Sequence, residues 1–309
     1  MNATDRGEEA EPVNRDEPLV TIGVPVYNGE RFLAQCLDSL LSQTFRDYTL
    51  LISDNASTDS TAEICKRYVR SDTRVRYHRN DINIGLYGNF NFLLRSARTR
   101  YVKLASADDF WAPAMLGDAV KAMERDPSLV LCCPKAVLVD KDGREIRRYE
   151  TSLHLIEDDP VVRFTRVLTE IGLVNQLMGV MRTDMVRSAL QLMNEPGADT
   201  VFLAELSLYG KTMEIPEYQY FRRFHEESSS WDHSGAHQIK RVFREGTRRM
   251  GIVAWKWHLG LIQRLFHSPL KLVPKLKLLL FLGRRIMWDR ATLLRELWQL
   301  LWPARTPKP

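Results

Sequence analysis

Cysteine is scarce in this chain: Cys36, Cys65, Cys132 and Cys133 are the only four among 309 residues. None forms a C-x-x-C pair, which excludes the usual spacing of a structural zinc or a redox couple. Two fall in predicted helices and two are adjacent on an apolar strand, so buried, reduced thiols of a cytosolic protein are expected. No run approaches the ~18 uncharged apolar residues that a membrane-spanning helix needs. No apolar segment with a basic flank opens the chain, so no secretory signal peptide is expected. Internal repeats are absent, and the formal net charge of +5 is modest. The rest of the composition, 44% hydrophobic and 27% charged, is that of a globular protein. The length accommodates one large α/β domain with an appendage, or two small domains.

The acid-rich residues 1–17 lack apolar periodicity and are expected to form a disordered leader. Leu19 to Val26 reads as a buried strand, stopped by Pro25 and Asn28-Gly29. Phe32, Leu33, Cys36, Leu37, Leu40 and Leu41 then recur at helical spacing, predicting a helix from about Glu30 to Gln43. Further strands are predicted at Tyr48 to Ile52, Arg74 to His78, Tyr101 to Ala105 and Leu129 to Cys133. Helices are predicted from Ser57 or Thr58 and near Pro113. Strand alternating with helix in this way predicts an α/β domain with a mostly parallel sheet flanked by helices. Beyond it, Asp142-Gly143 signals a hairpin. Val161 to Leu168 and Ala198 to Tyr209 read as helices, and Gln176 to Met181 and Thr212 to Phe224 as extended.

Three polar motifs sit where predicted strands end: Pro25-Val26-Tyr27-Asn28, Asp54-Asn55-Ala56-Ser57-Thr58-Asp59, and Ser106-Ala107-Asp108-Asp109. Strand C-terminal ends line the ligand crevice of an open α/β sheet, so the three can converge on one site. Tyr27 offers a flat face and a hydroxyl suited to a nucleobase; the alternative is a core tyrosine. Asp54 can accept hydrogen bonds from a base or ribose, or cap the following helix, a role that Asp59 fits better. Asp108 and Asp109 repel each other in a cleft unless a divalent cation neutralises them, and Mg²⁺ or Mn²⁺ bridging carboxylate and diphosphate meets that need. Two helix-capping acids are the competing reading. Asn83, Gly85, Asn89 and Asn91 form an amide-rich stretch able to hydrogen-bond a sugar or diphosphate, although turn chemistry also selects Asn and Gly. Arg79 either steers a diphosphate or is simply solvated. Asn55-Ala56-Ser57 is a glycosylation sequon within the suspected site, where a glycan would block it, which again favours the cytosol.

These motifs, together with Ser42-Gln43-Thr44, Asn83-Ile84-Gly85 and Asp108-Asp109-Phe110-Trp111, occur in the order and spacing of glycosyltransferase family 2. The resemblance is strong over Pro18 to Pro134, looser to His225 and absent beyond. It implies a GT-A (Rossmann-like) fold over residues 18–236 and an inverting transfer from a nucleoside-diphosphate sugar to a glycan or lipid-linked acceptor. It implies donor-binding roles for Pro25, Tyr27, Asn28, Asp54, Asn83, Gly85, Asp108 and Asp109. A divalent cation (Mg²⁺ or Mn²⁺) on Asp108 and His225 is implied too, with Arg222 and Arg223 near the phosphates. Asp199, at the start of a helix after Pro196-Gly197, takes the place of the base that deprotonates the acceptor; an N-cap is the competing role. The chain departs from the family twice. Ser106 stands at the first position of the frequent Asp-x-Asp, and Ala198-Asp199 replaces the common Glu-Asp pair. Both departures keep a second reading open, a catalytically inactive nucleotide-sugar-binding scaffold.

Residues 237–309 form a basic, Trp-rich region predicted to be helical and amphipathic. Between Lys256 and Arg290 eight lysines and arginines face one acid, Asp289. Basic residues, leucines and tryptophans at helical spacing suit a helix lying in a membrane interface, which predicts surface contact through residues 250–302 and a cytoplasmic protein peripheral to the inner face of the plasma membrane. Two helices packed on the α/β domain are the alternative. No nucleic-acid partner is expected; the basic tail alone favours one, with affinity falling steeply in salt.

Overall fold

The apolar runs at the front of the chain become β1 (Val20–Val26), β2 (Tyr48–Asp54), β3 (Val75–Arg79) and β4 (Tyr101–Leu104). Every residue of β1 and β4 is buried, as in strands covered on both faces. They pair in parallel in the order β3-β2-β1-β4, with Val20 opposite Tyr48 and Tyr101. The computed structural model describes residues 17–150, 153–226 and 252–301. All of the expected leader except Glu17, and the expected boundary at residue 237, lie outside the described residues.

Helices α1 (Leu33–Leu41), α2 (Thr61–Ser71) and α3 (Leu86–Ser96) join these strands. The third corrects the reading of Asn89 and Asn91 as loop amides. Tyr87, Phe90, Leu93 and Leu94 give the helix its apolar face, and both asparagines are buried with it. Asn89 donates to the Ser53 carbonyl and Asn91 to that of Leu192, so their amides are satisfied within the fold.

Beyond β4 the sheet is mixed, where a mostly parallel one was expected. The chain continues through β5 (Phe110–Trp111), α4 (Met115–Arg125), β6 (Leu129–Val139), β7 (Glu145–Tyr149), α5 (Pro160–Glu170), β8 (Val180–Arg182), α6 (Thr183–Ser188), α7 (Ala198–Tyr209) and β9 (Lys211–Arg223). The order from β4 is β8-β6-β9-β5. β8 runs antiparallel to both neighbours, β6 and β9 run parallel, and β5 returns antiparallel on β9. The anticipated Asp142-Gly143 turn joins β6 to β7, with Gly143 at φ 83°. A tight turn forces antiparallel pairing. The expected extended segment from Gln176 begins only at Val180, because Asn175–Met178 is a 3-10 turn.

One face of the sheet is covered by α1, α2 and α4, the other by α3, α5 and α7. The C-terminal region forms α8 (Val253–His267), α9 (Leu272–Trp288) and α10 (Arg290–Leu301). Leu261 and Leu265 of α8 and Leu278 and Leu282 of α9 enter the same core as α5 and α7. The packed alternative therefore holds for one side of these helices. Their other side exposes Leu272, Val273, Leu276, Leu280, Met287, Trp288, Leu294, Trp298 and Leu301. No helix among the described residues is long and apolar enough to cross a membrane. The four cysteines are buried and free.

Candidate active site

Because β1 to β4 are parallel, their C-terminal ends share one edge of the sheet. β8 opposes both β4 and β6, so β6 runs with β4, and β9 runs with β6. The end of β9 at Arg223, and His225 beyond it, thus reach that same edge. Helix α7 turns back into β9 through Gly210, which returns its N-terminus to the edge as well. The topology gathers Tyr27, Asp54, Asp108, Asp199 and His225 on one rim.

At the ends of β2 and β3, Asp54 is buried and holds its neighbours in place. Its carboxylate accepts from the Ser57 amide at 2.8 Å, the Tyr77 hydroxyl at 2.7 Å and Arg79 at 3.0 Å. Arg79 also donates to the Ser57 carbonyl; it is tethered rather than merely solvated. The Tyr77 hydroxyl is pushed up by burial and by its bond to Asp54, so it stays a donor. Asn28, at φ 49°, accepts from the Thr58 amide and so ties the end of β1 to the loop after β2. Pro25 is buried opposite Ser53. Asn83 accepts from Asn55 and from the Gly85 amide, and Gly85 opens α3 at φ 78°. Tyr27 is half-buried at the end of β1. Asp59 accepts from the Thr61 amide and hydroxyl and from the Glu30 amide, but the N-cap of α2 is Ser60, so Asp59 supports the helix start from one residue ahead of the cap.

The adjacent acids of the β4–β5 loop have separate roles. Asp109 is 5% exposed and accepts from the Tyr220 hydroxyl at 2.6 Å and the Arg223 amide at 2.8 Å. Burial pushes its carboxyl up to about 6. It clamps the loop to β9. Asp108 is half-buried, and its Oδ2 stands 3.4 Å from Nε2 of His225. The His225 ring is 3% exposed, packs on Phe32 with centroids 4.8 Å apart, and has neither nitrogen hydrogen-bonded among the described residues. A buried imidazole so placed beside a carboxylate fits a cation's two protein ligands. No three His, Cys, Asp or Glu side chains gather as a metal cluster among the described residues, so oxygens from a diphosphate would have to complete the shell.

Arg223, expected near phosphate, is instead spent on the carbonyls of Asp108, Asp140 and Lys141. Arg222 donates to Asn175 at 2.7 Å, and its charge acts on both Asp109 and Asp199. Asp199 lies in the first turn of α7 and accepts from the Thr200 amide at 2.8 Å. Burial holds its carboxyl above the usual carboxylate range, despite that bond and the Arg222 charge. A carboxylate with a raised pKa takes up a proton more readily, as a base in catalysis must.

Residues 21–174 match the family Glycosyl transferase family 2. The chain belongs to glycosyltransferase family 2. Among curated relatives, the glycosyltransferase EpsJ of Bacillus subtilis (strain 168) is 30% identical over 160 residues, 52% of this chain and 43% of that protein. The chain spans about half the length of the curated relatives it matches. Among solved structures, S. aureus TarS 1–349 in complex with UDP-GlcNAc shares the fold with a TM-score of 0.65 at 18% identity. The alignment covers 88% of this chain and 74% of that one. The mannosyltransferase PcManGT of Pyrobaculum calidifontis, in complex with GDP-Man and Mn²⁺, aligns over 94% of this chain and 89% of its own, with a TM-score of 0.51 at 15% identity.

Several residues of this family 2 site escaped the sequence reading. Tyr77 carries no motif and is noticed only by its contact with Asp54. Tyr220 and Phe221 of β9 meet Trp111 and Phe110 of β5 as stacked pairs; the aromatic pairs at 110–111 and 220–221 were the available signal. Lys103 was hidden inside an apolar strand. It is fully buried over the Trp111 ring, donates to the Met178 carbonyl, and burial lowers its pKa to about 7.

Proposed function

We propose that this chain is an inverting glycosyltransferase, moving a sugar from a nucleoside-diphosphate donor to a hydroxyl of a glycan or lipid-linked acceptor. The observation that carries this reading is the pairing of Asp108 with His225 on the same sheet edge as the start of the Asp199 helix, with the Arg222 charge felt by both Asp109 and Asp199. The acceptor oxygen attacks the anomeric carbon and the bond to the diphosphate breaks with inversion. Asp199 takes the hydroxyl proton. Arg222 offers positive charge to the departing diphosphate. Asp108 and His225 would hold a divalent cation, which would supply charge neutralisation for the leaving diphosphate. Tyr27 lies against the nucleobase, with Asp54 aligning Tyr77 and Arg79 beside it. Asn28, Asn83 and Gly85 shape the loops around the donor, and Pro25 and Asp109 fix its floor.

The exposed apolar face of α9 and α10, rimmed by Lys271, Lys275, Lys277, Arg284 and Arg290, supports a peripheral seat on an anionic inner leaflet, where a lipid-linked acceptor resides. Helices α8 to α10 would then form the appendage to a transferase domain ending near residue 236.

The test is nucleotide release from UDP-GlcNAc and GDP-Man, each with Mn²⁺, Mg²⁺ or EDTA. Metal-dependent release that falls in Asp199→Asn is the expected result. The competing reading, an inactive scaffold, rests on Ser106 and Ala198 and predicts donor binding with no release from either form.

A further inference from the structure

Between α8 and α10, beside the entry to α7, lies a pocket of about 350 Å³. None of the donor or base residues lines it. Its walls are Pro196, Val253 and Ala254 with Trp257, His258, Asp289, Thr292 and Glu296. Pro196 stands three residues before Asp199, and Trp257 packs against Gly197, where a Cβ would meet its indole at 3.0 Å. Gly197 takes φ 77°, so a side chain there would be strained as well as crowded. The pocket is therefore seated at the base end of α7.

Its polar groups are set for one kind of ligand. His258 is 2% exposed and its Nε2 lies 3.0 Å from Asp289 Oδ2. Burial lowers its pKa, which keeps the ring neutral near pH 7. With Nε2 donating to Asp289, Nδ1 is left as an acceptor; it has no hydrogen-bond partner among the described residues and is itself closed off from solvent, so it does not open onto the pocket. Asp289, Glu296 and the Thr292 hydroxyl add acceptor capacity, although Glu296 already takes the Ala254 amide at 2.9 Å. Among the described residues no lysine or arginine lines the pocket; Arg285, 5.5 Å over the Trp257 ring, donates to the Leu168 carbonyl, so the pocket walls themselves offer a phosphate or carboxylate no cation. Trp257 supplies an aromatic wall. Acceptors around an aromatic wall select a neutral ring rich in hydroxyl donors.

We infer that this pocket binds a neutral pyranose unit of the acceptor, with Trp257 as its wall and Asp289 and Thr292 accepting from its hydroxyls. The assignment to the acceptor rests on the transferase reading. The binding of a neutral sugar does not, so the two can fail separately.

The experiment is saturation-transfer NMR on the full chain with millimolar glucose, galactose, mannose and N-acetylglucosamine, and with glucose 1-phosphate as the anionic comparison. Thr292 is exposed, so Thr292→Trp fills the pocket without disturbing the core. The expected result is saturation transfer to at least one neutral sugar, weaker transfer to glucose 1-phosphate, and loss of the signal in Thr292→Trp at unchanged Tm. A second variant, Asp289→Asn, keeps the contact to His258 and weakens binding without abolishing it. No transfer to any sugar of the panel, or transfer that Thr292→Trp leaves intact, overturns the inference. Nucleotide-induced Tm shifts on the same samples report the donor site. If they persist while sugar binding is absent, the pocket assignment fails and the transferase reading stands.

Discussion

Two adjacent aspartates show how far a residue's role depends on its surroundings. Asp109 is consumed by Tyr220 and the Arg223 amide, whereas Asp108 faces His225. Substituting Asp108→Ala should remove the metal dependence of nucleotide binding with little effect on folding. Asp109→Ala should instead lower Tm, since it strands the Tyr220 hydroxyl in the core. Asp199→Asn should lower turnover by about 10²–10⁴-fold, the usual contribution of a general base, with nucleotide affinity retained. Its raised pKa fixes the pH profile, because the base is lost as it takes a proton. The acidic limb of kcat/KM should lie above the ordinary carboxylate range, and a limb within that range would assign another base. Asp108 was singled out by its place at a strand end, Asp199 and His225 by the resemblance to family 2. The division of labour between Asp108 and Asp109 was not, since Tyr220 lies 111 residues from Asp109.

Among the elements, α7 is held from outside by α8. Arg264 of α8 pairs with Glu205 of α7 at 3.0 Å, both fully buried, and Lys256 pairs with Glu195 just before α7. Removing one member of a buried pair costs about 3–5 kcal/mol, so Arg264→Met should lower Tm markedly at pH 8. Burial pushes Glu205 up to about 7, above the ordinary 4.5. Protonation of Glu205 therefore favours the folded state, a contribution complete below pH 4.5 and lost as pH rises through 7. The penalty of Arg264→Met should accordingly shrink between pH 8 and pH 5 in denaturant titrations; an equal penalty at both would mean that Glu205 is not left charged. The helices α5 and α7 were readable from apolar spacing, and β9 from its extended pattern. Helix α3 was masked by its buried asparagines, and of the extended reading from Gln176 only its end, from Val180, is the strand β8. The antiparallel half of the sheet follows from long-range pairing that no local pattern encodes.

At the scale of the whole molecule, the sheet edge and the apolar face of α9 and α10 belong to one packed body, because α8 and α9 share the core of α5 and α7. Trp288 and Leu280 are 73% and 71% exposed. Full burial of such a side chain is worth ~1.5–3 kcal/mol. The double variant Leu280→Ser, Trp288→Ser should thus lower partitioning onto phosphatidylglycerol vesicles by about a hundredfold or more, with Tm unchanged. Unaltered sedimentation with vesicles would remove the membrane seat.

The central claim is a metal-assisted nucleotide-sugar site at the shared strand edge. Thermal unfolding with UDP, GDP or dTDP, each with Mn²⁺, Mg²⁺ or EDTA, tests it most directly. A ligand at a hundred times its Kd adds ~2.7 kcal/mol, a shift of several degrees for a domain of this size. The account predicts such a shift with one nucleotide, present with metal, lost in EDTA and lost in Asp108→Ala. No shift with any nucleotide under any metal condition would contradict it.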